Sequence, residues 1–350
     1  MTRFITKVVL ALVAVGIVGS IASITYVHHW QSRPRHLVQE VVIEFKGGTG
    51  LSALSRKLAE SGVIDNSVLF TLMVRLGGDY KHYQAGTYRF AGEVTPLDVE
   101  RSIIQGLIYS PIVAQITIPE GFKLREVVER LAANGIGHIV EITNLTHDRV
   151  FLDELNVRSQ TLEGYVYPAT YSFHKLPTAR EALTLMVRTF WQNLPPNYEA
   201  MAKDQGLSLN DAVTFASLIE LETRLDEERP LVSEVIWRRL KDKAPLGIDA
   251  AIIYGIADYT GDLTWANLSD RKNPYNTRIH RGLPPSAIGA PSKKSLEAVL
   301  NPTNFGYYYY VLTPGYMRHH FSKTLAEHNE NVKKLVDASK RGKAQETGKH

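Results

Sequence analysis

Cysteine is absent from all 350 residues. That excludes thiol nucleophiles, disulfides and cysteine-ligated zinc, and it leaves the compartment open, because an exported protein can avoid thiols altogether. Neither sign of charge dominates: 40 Lys and Arg against 36 Asp and Glu leave a net charge of +4, interspersed through most of the chain. So thin an excess argues against nucleic acid as a partner, and it is compatible with mild attraction to an anionic membrane or wall polymer. The twelve histidines include no H-E-x-x-H and form no clear ligand set, so neither a metal nor a cofactor is expected. The glycine turn Lys46-Gly47-Gly48-Thr49-Gly50 lacks the spacing of a phosphate loop and reads as a tight turn. No tandem repeat is present. Two S-x-x-K matches, at Ser172–Lys175 and Ser269–Lys272, lack the context of a serine acyl-enzyme site: Pro177 closes the first, and no S-x-N or K-T-G accompanies the second.

The sequence does contain one long apolar run. Val8 to Val27 carries no charge and follows Arg3 and Lys7, a length that matches the hydrocarbon core of a bilayer. It outlasts a usual signal-peptide core and continues past the small residues Ser20 and Ala22, which favours an uncleaved anchor over residues 1–30. A compact α+β module is expected over 31–108, from a strand at Val41–Phe45, helices at Leu51–Ser61 and Asn66–Leu76, a returning strand at Gly86–Phe90 and a helix at Pro96–Gln105. A connecting segment over 109–160 holds a β-prone run, Ile112–Ile118, and a helix at Lys123–Asn134. The largest domain, a mixed α/β unit, is expected over 161–338, closing on a helix at Thr324–Ala338. The lysine-rich end, 339–350, lacks large apolar residues and reads as a disordered tail.

The most informative stretch is Ala216-Ser217-Leu218-Ile219-Glu220-Leu221-Glu222-Thr223. Asp211 or Asn210 can cap a helix in which Ala212, Phe215, Ala216 and Ile219 recur at i, i+3, i+4 and i+7. At roughly 100° per residue, Glu220 and Glu222 point about 160° apart, so they cannot share one substrate. Glu222, three residues after Ile219, falls nearer the centre of the apolar stripe. A carboxyl held against apolar neighbours is raised in pKa, which suits a general acid.

Later blocks extend the pattern: Val235-Ile236-Trp237-Arg238-Arg239-Leu240, Ile248-Asp249-Ala250, Pro274-Tyr275-Asn276-Thr277, Arg281-Gly282-Leu283-Pro284-Pro285 and Phe321-Ser322-Lys323-Thr324-Leu325-Ala326-Glu327-His328-Asn329. In order and spacing these, with Gln84-Ala85-Gly86-Thr87-Tyr88 and Pro119-Glu120-Gly121 upstream, resemble the endolytic murein transglycosylases, the MltG or YceG-like family of bacterial cell-envelope enzymes. Leu162-Glu163-Gly164-Tyr165-Val166-Tyr167-Pro168-Ala169-Thr170-Tyr171 resembles the family's L-E-G-Y-x-x-P-D-T-Y, with Ala169 in place of the Asp. Leu221 replaces a basic residue, and Ala250 departs from the family's T-D-P.

The resemblance implies a lytic transglycosylase that cleaves the β-1,4 bond between N-acetylmuramic acid and N-acetylglucosamine of nascent peptidoglycan and leaves 1,6-anhydro ends. One carboxyl suffices, because the C6 hydroxyl of the same sugar is the nucleophile and effective molarity replaces the second carboxylate of ordinary glycosidases. Carried over residue by residue, the resemblance assigns Glu222 as acid and then base, with Glu220 as a supporting or alternative acid. It places Ser217, Asp249, Tyr254, Asn276, Thr277 and Tyr167 as substrate contacts, Asn276 contacting sugar or orienting Glu222. His319, Ser322 and Asn329 match family positions without an assigned role. It further implies a LysM-like fold for 31–108, a single-pass anchor in the inner (cytoplasmic) membrane with the N-terminus cytoplasmic and the catalytic domain outside, and peptidoglycan synthases of the penicillin-binding type as partners. The alternative is a non-catalytic peptidoglycan-binding scaffold on the same fold, for which the departures at Ala169, Leu221 and Ala250 are the sequence support.

Overall fold

The computed structural model describes residues 2–257, 259–313 and 317–347, in two compact units, Met1–Pro111 and Ile112–His350. The first unit begins with α1 (Thr2–Trp30), whose stretch Leu10–Trp30 is the one helix among the described residues long and apolar enough to cross a membrane. Its last turn is different in kind: Val27 and Trp30 are buried in the core of the first unit, and the Trp30 indole N–H donates to Asp65 at 2.8 Å. The module that follows is an antiparallel pair, β1 (Arg35–Phe45) with β2 (Gly86–Val94), packed with α2 (Leu51–Glu60), α3 (Ser67–Gly77) and α4 (Pro96–Ile104). The helices start where local chemistry satisfies their first N–H groups. Asn66 accepts from Val68 and Leu69, and Thr95 forms a reciprocal capping box with Asp98. β1 is longer than expected: ahead of an irregularity between Leu37 and Val41, residues 35–37 pair with 92–94, so the strand starts at Arg35 rather than Val41.

The second unit carries β3 (Ala114–Thr117), α5 (Leu124–Ala133), α6 (Ile139–His147), α7 (Arg149–Glu154), β4 (Thr170–Phe173), α8 (Ala179–Asn193), α9 (Tyr198–Asp204) and α10 (Leu209–Glu222). It continues with α11 (Arg229–Lys241), α12 (Asp249–Tyr254), α13 (Trp265–Ser269), α14 (Lys293–Leu300), β5 (Tyr309–Leu312), β6 (His319–Ser322) and α15 (Leu325–Thr347). β3 pairs antiparallel with β4, and β5 with β6. The unit is therefore α+β. The expected mixed α/β arrangement is not formed, since no strand pair among the described residues is parallel or joined by the helical crossover a parallel pair requires. Nor do 109–160 and 161–338 form separate bodies. Ile116, Val127, Phe151, Phe190, Phe215 and Leu296 share one core. The tail also differs from expectation, because α15 continues to Thr347. Residues 348–350 of that stretch lie outside the described residues.

α10 is the axis of the second unit. Every residue from Ala212 to Glu220 is buried, so the helix is enclosed on all sides rather than along one stripe. Its cap is Ser208, whose hydroxyl accepts from Asp211 N–H while the Asp211 carboxylate accepts from Ser208 N–H, each at 3.1 Å. Ser208 thus replaces Asn210 or Asp211 at that position, and Asp211 becomes the third helical residue of a capping box. Gly164 allows the close approach of a neighbouring segment: φ is +83°, and a Cβ there would stand 2.5 Å from Ala287 Cβ and 2.7 Å from Val213 Cγ1.

Candidate active site

Glu222 is the last helical residue of α10, and Thr223 turns the chain into extended backbone. Its side chain is half-buried and opens on a cavity of about 560 Å³ lined also by Arg239, Asp249, Arg278, Tyr310, His319 and His328. Burial, the largest influence, raises its pKa. Asp249 pushes in the same direction, while the Tyr310 hydrogen bond and the charges of His319 and Arg239 oppose. The carboxylate-disfavouring C-terminal end of a helix works with burial. The Tyr310 hydroxyl donates to Glu222 Oε2 at 2.7 Å and is itself held far above its ordinary pKa by burial and by Glu222, so it stays a neutral donor.

Glu220 faces a different environment. Its carboxylate lies 3.0 Å from Arg229 Nη1 and accepts from Ser292 N–H at 2.8 Å. Arg229 reaches further, to Asp226 at 3.2 Å and Ser295 Oγ at 2.5 Å. Glu220 belongs to a buried ion pair that joins α10, α11 and the start of α14.

The remaining expected contacts divide. Asp249, the first residue of α12, does line the Glu222 cavity, and its Oδ1 accepts from Arg278 Nε at 3.0 Å and Nη2 at 2.8 Å. The others lie away from the cavity lining. Ser217 is fully buried, donating to Thr214 C=O at 2.7 Å and accepting from Ile288 N–H at 3.0 Å. Asn276 is fully buried; its amide N–H₂ reaches the carbonyls of Asn267, Leu268 and Asp270, and its oxygen accepts from Arg278 N–H. It anchors the loop leading to Arg278 and does not orient Glu222. The Thr277 hydroxyl accepts from Ile248 N–H at 2.9 Å and donates to Ile248 C=O at 3.1 Å, fixing the residue before Asp249. Tyr254 donates to Glu163 at 2.8 Å in a separate buried site. Tyr167 borders a second hollow with Glu120, Arg224 and Lys293. Among the described residues no three His, Asp or Glu side chains gather closely enough to hold a metal ion.

Several site residues escaped the sequence reading. Tyr310 comes from β5, within the run Tyr307–Tyr310, whose four adjacent aromatics were the available signal. Arg278 and Arg239 reach the cavity from a loop and from α11. His319, noted without a role, places Nδ1 2.7 Å from Glu228 Oε2, and Glu228 also accepts from Thr223 Oγ1 at 3.0 Å. Ser322 accepts from Asn331 at 3.1 Å, a structural contact within the C-terminal elements.

The YceG-like family pattern matches residues 43–334. The chain is 28% identical over 315 residues to an endolytic murein transglycosylase of Bacillus subtilis, covering 85% of each protein. It is 25% identical over 328 residues to one of Streptococcus pneumoniae, covering 85% of this chain but only 59% of that protein's length. A crystal structure of a YceG-like protein from Listeria monocytogenes overlays with a TM-score of 0.57 at 27% identity, covering 83% of this chain and 98% of the other. With the family pattern spanning most of both units, the chain belongs to the YceG-like family.

Proposed function

We propose that the protein is an endolytic murein transglycosylase that cuts the β-1,4 bond between N-acetylmuramic acid and N-acetylglucosamine, with Glu222 as its only proton-transfer residue. The observation that carries this reading is a half-buried carboxyl with a raised pKa, open to a cavity and hydrogen-bonded by a neutral phenol in place of a cation. Tyr310 occupies Oε2, so Oε1 is the oxygen left to hold the proton. In the first step Glu222 gives that proton to the glycosidic oxygen as the C1–O bond breaks and N-acetylglucosamine leaves with a free 4-hydroxyl. In the second, the muramic C6 oxygen bonds to C1 and its proton returns to the Glu222 carboxylate. Atoms and charge balance, and no water is consumed. Asp249, held by Arg278 in the same cavity, would offset positive charge developing at C1.

The departures from the family pattern do not touch this chemistry. Leu221 packs toward the Gly121 turn, and Ala169 and Ala250 pack against the core; none lines the cavity. In this reading α1 anchors the chain in the cytoplasmic membrane with the residues after it outside, residues 31–108 form a LysM-like glycan-binding module, and wall synthases are the partners. The test is mass spectrometry of the ends released from purified peptidoglycan by the full chain in detergent. Anhydro-muramyl ends from wild type, absent with Glu222→Gln and retained with Glu220→Gln, are expected. Reducing ends would make the protein a hydrolase, and intact binding without new ends would make it a scaffold.

A further inference from the structure

We infer that His319 is a positioning residue for the Glu222 carboxyl, acting through Tyr310 and held in place by the buried carboxylate of Glu228. The inference rests on Glu222 being the acid of the proposed reaction. Five links close on themselves. Glu222 is followed by Thr223; the Thr223 hydroxyl donates to Glu228 Oε2 at 3.0 Å. Glu228 then takes two hydrogen bonds from His319, from its backbone N–H at 2.8 Å and from Nδ1 at 2.7 Å. The His319 ring stands edge-on to Tyr310, with centroids 5.4 Å apart and planes at 82°. Tyr310 donates to Glu222.

Burial separates this network from ordinary surface pairing. The Glu228 and His319 side chains are 5% and 11% exposed, whereas the neighbouring Arg318–Glu227 pair is more than half exposed on both sides. Exposed pairs contribute little, while a buried carboxylate must be matched by donors. Burial, the largest influence on Glu228, would raise its pKa, but the His319 side chain and backbone, together with Thr223, hold it below the usual carboxylate range. The carboxylate requires a proton on Nδ1 and so fixes the ring's orientation.

The mechanical need is clear from β5 and β6. A two-stranded pair has little stability alone, yet it carries the donor that sets the Glu222 rotamer. Arg239 holds one end of it through the Tyr308 carbonyl at 3.1 Å, and Glu228 holds the other through His319. Four groups act on Glu222, Tyr310 on β5, His319 on β6, Asp249 on α12 and Arg239 on α11, and Arg278 from a loop and His328 on α15 line the same cavity. Of these, Tyr310, His319 and Arg239 favour the carboxylate, so loosening the first two raises the Glu222 pKa.

The test uses the full chain in detergent. His319→Ala should lower kcat between about 10- and 100-fold with KM changed less than about twofold, the size expected from a misplaced catalytic group. Because activity needs protonated Glu222 and falls as pH rises through its pKa, the alkaline limb of kcat should move to higher pH. Glu228→Gln should move it the same way, and His319→Asn, which keeps a donor near the Nδ1 position, should recover part of the loss. Infrared titration of the Glu222 carboxyl, with Glu222→Gln as the blank, gives a readout independent of turnover. A raised Glu222 pKa in His319→Ala supports positioning even if wild type forms no anhydro ends, in which case only the proposed reaction falls. An unmoved titration in both His319→Ala and His319→Asn overturns the inference. So does a kcat loss that merely follows the folded fraction measured by circular dichroism.

Discussion

Glu220 and Glu222 stand two residues apart on one helix and lead opposite lives. Glu220 is enclosed with a guanidinium 3.0 Å away and a backbone N–H donor, and Arg229 is braced in turn by Asp226 and Ser295. Its charge is matched, and one oxygen, Oε2, joins α10 to α11 and to the start of α14. Glu222 makes no ion pair among the described residues; a phenol is its hydrogen-bond donor, and a cavity lies in front of it. Burial without a bound cation favours the neutral acid, and an open face lets that acid meet a substrate. The two residues share helix and residue type, so the partner and the open face decide which carboxyl is structural and which can move a proton.

The widest separation between them should appear when each is made an amide. Glu222→Gln should lower the rate of anhydro-end formation by about 10³- to 10⁴-fold, the upper range for removal of a general acid, with the fold retained. Glu220→Gln should leave the cavity chemistry in place but strand part of the Arg229 charge. Breaking one side of a buried pair costs about 3 kcal/mol, which for a unit of this size lowers Tm by about 8 °C. Muropeptide analysis and calorimetry on the same two variants read both effects. Equal loss of activity in both, with both fully folded, would erase the distinction.

Tyr310→Phe sharpens the contrast from the Glu222 side alone. The phenol's hydrogen bond favours the carboxylate, so removing it raises the Glu222 pKa, and the alkaline limb of kcat should move to higher pH. The carboxyl also loses the contact that fixes its rotamer, and kcat at the optimum should fall about tenfold. A shift to lower pH would mean that Tyr310 acts by something other than its donated hydrogen bond.

What was legible in the sequence was local. The helix ending at Glu222, its apolar neighbours, the module's strand–helix–helix–strand order and the helix beginning at Asn66 all follow from spacing and capping within a dozen residues. The cavity was not legible, because its walls come from afar. Tyr310 meets Glu222 across 88 residues, and His319 meets Glu228 across 91. The polar residues read as sugar contacts show the second limit. Ser217 and Asn276 have the chemistry to bind a hydroxyl, but it is spent on Ile288 N–H and on three loop carbonyls. A sequence marks a polar side chain but not whether the group it satisfies belongs to a ligand or to the backbone. The same gap hid the all-round burial of α10 from Ala212 to Glu220, where Ser217 interrupts the apolar surface while its hydroxyl is bonded to the Thr214 carbonyl.

A third carboxyl tests whether a raised pKa alone distinguishes Glu222. Glu163 is buried, accepts from Leu124 N–H at 3.0 and 3.1 Å and from the Tyr254 hydroxyl at 2.8 Å, and is raised to about 7 chiefly by burial. Both its oxygens are occupied by the start of α5, and it lies outside the Glu222 cavity. Its titration should therefore register in stability and not in catalysis. The folded pKa lies above an unfolded value of about 4.3, so the stability it confers is present below that pH and is lost as pH rises through about 7. Wild type should lose about 3.5 kcal/mol more than Glu163→Gln between about pH 4 and pH 8, seen as a steeper fall of Tm with pH. The alkaline limb of kcat should coincide in the two proteins. If it moves with Glu163→Gln, the two buried acids are coupled through α12, which runs from Asp249 in the cavity to Tyr254 on Glu163, and the contrast between a structural and a reactive carboxyl would have to be drawn along that helix as well.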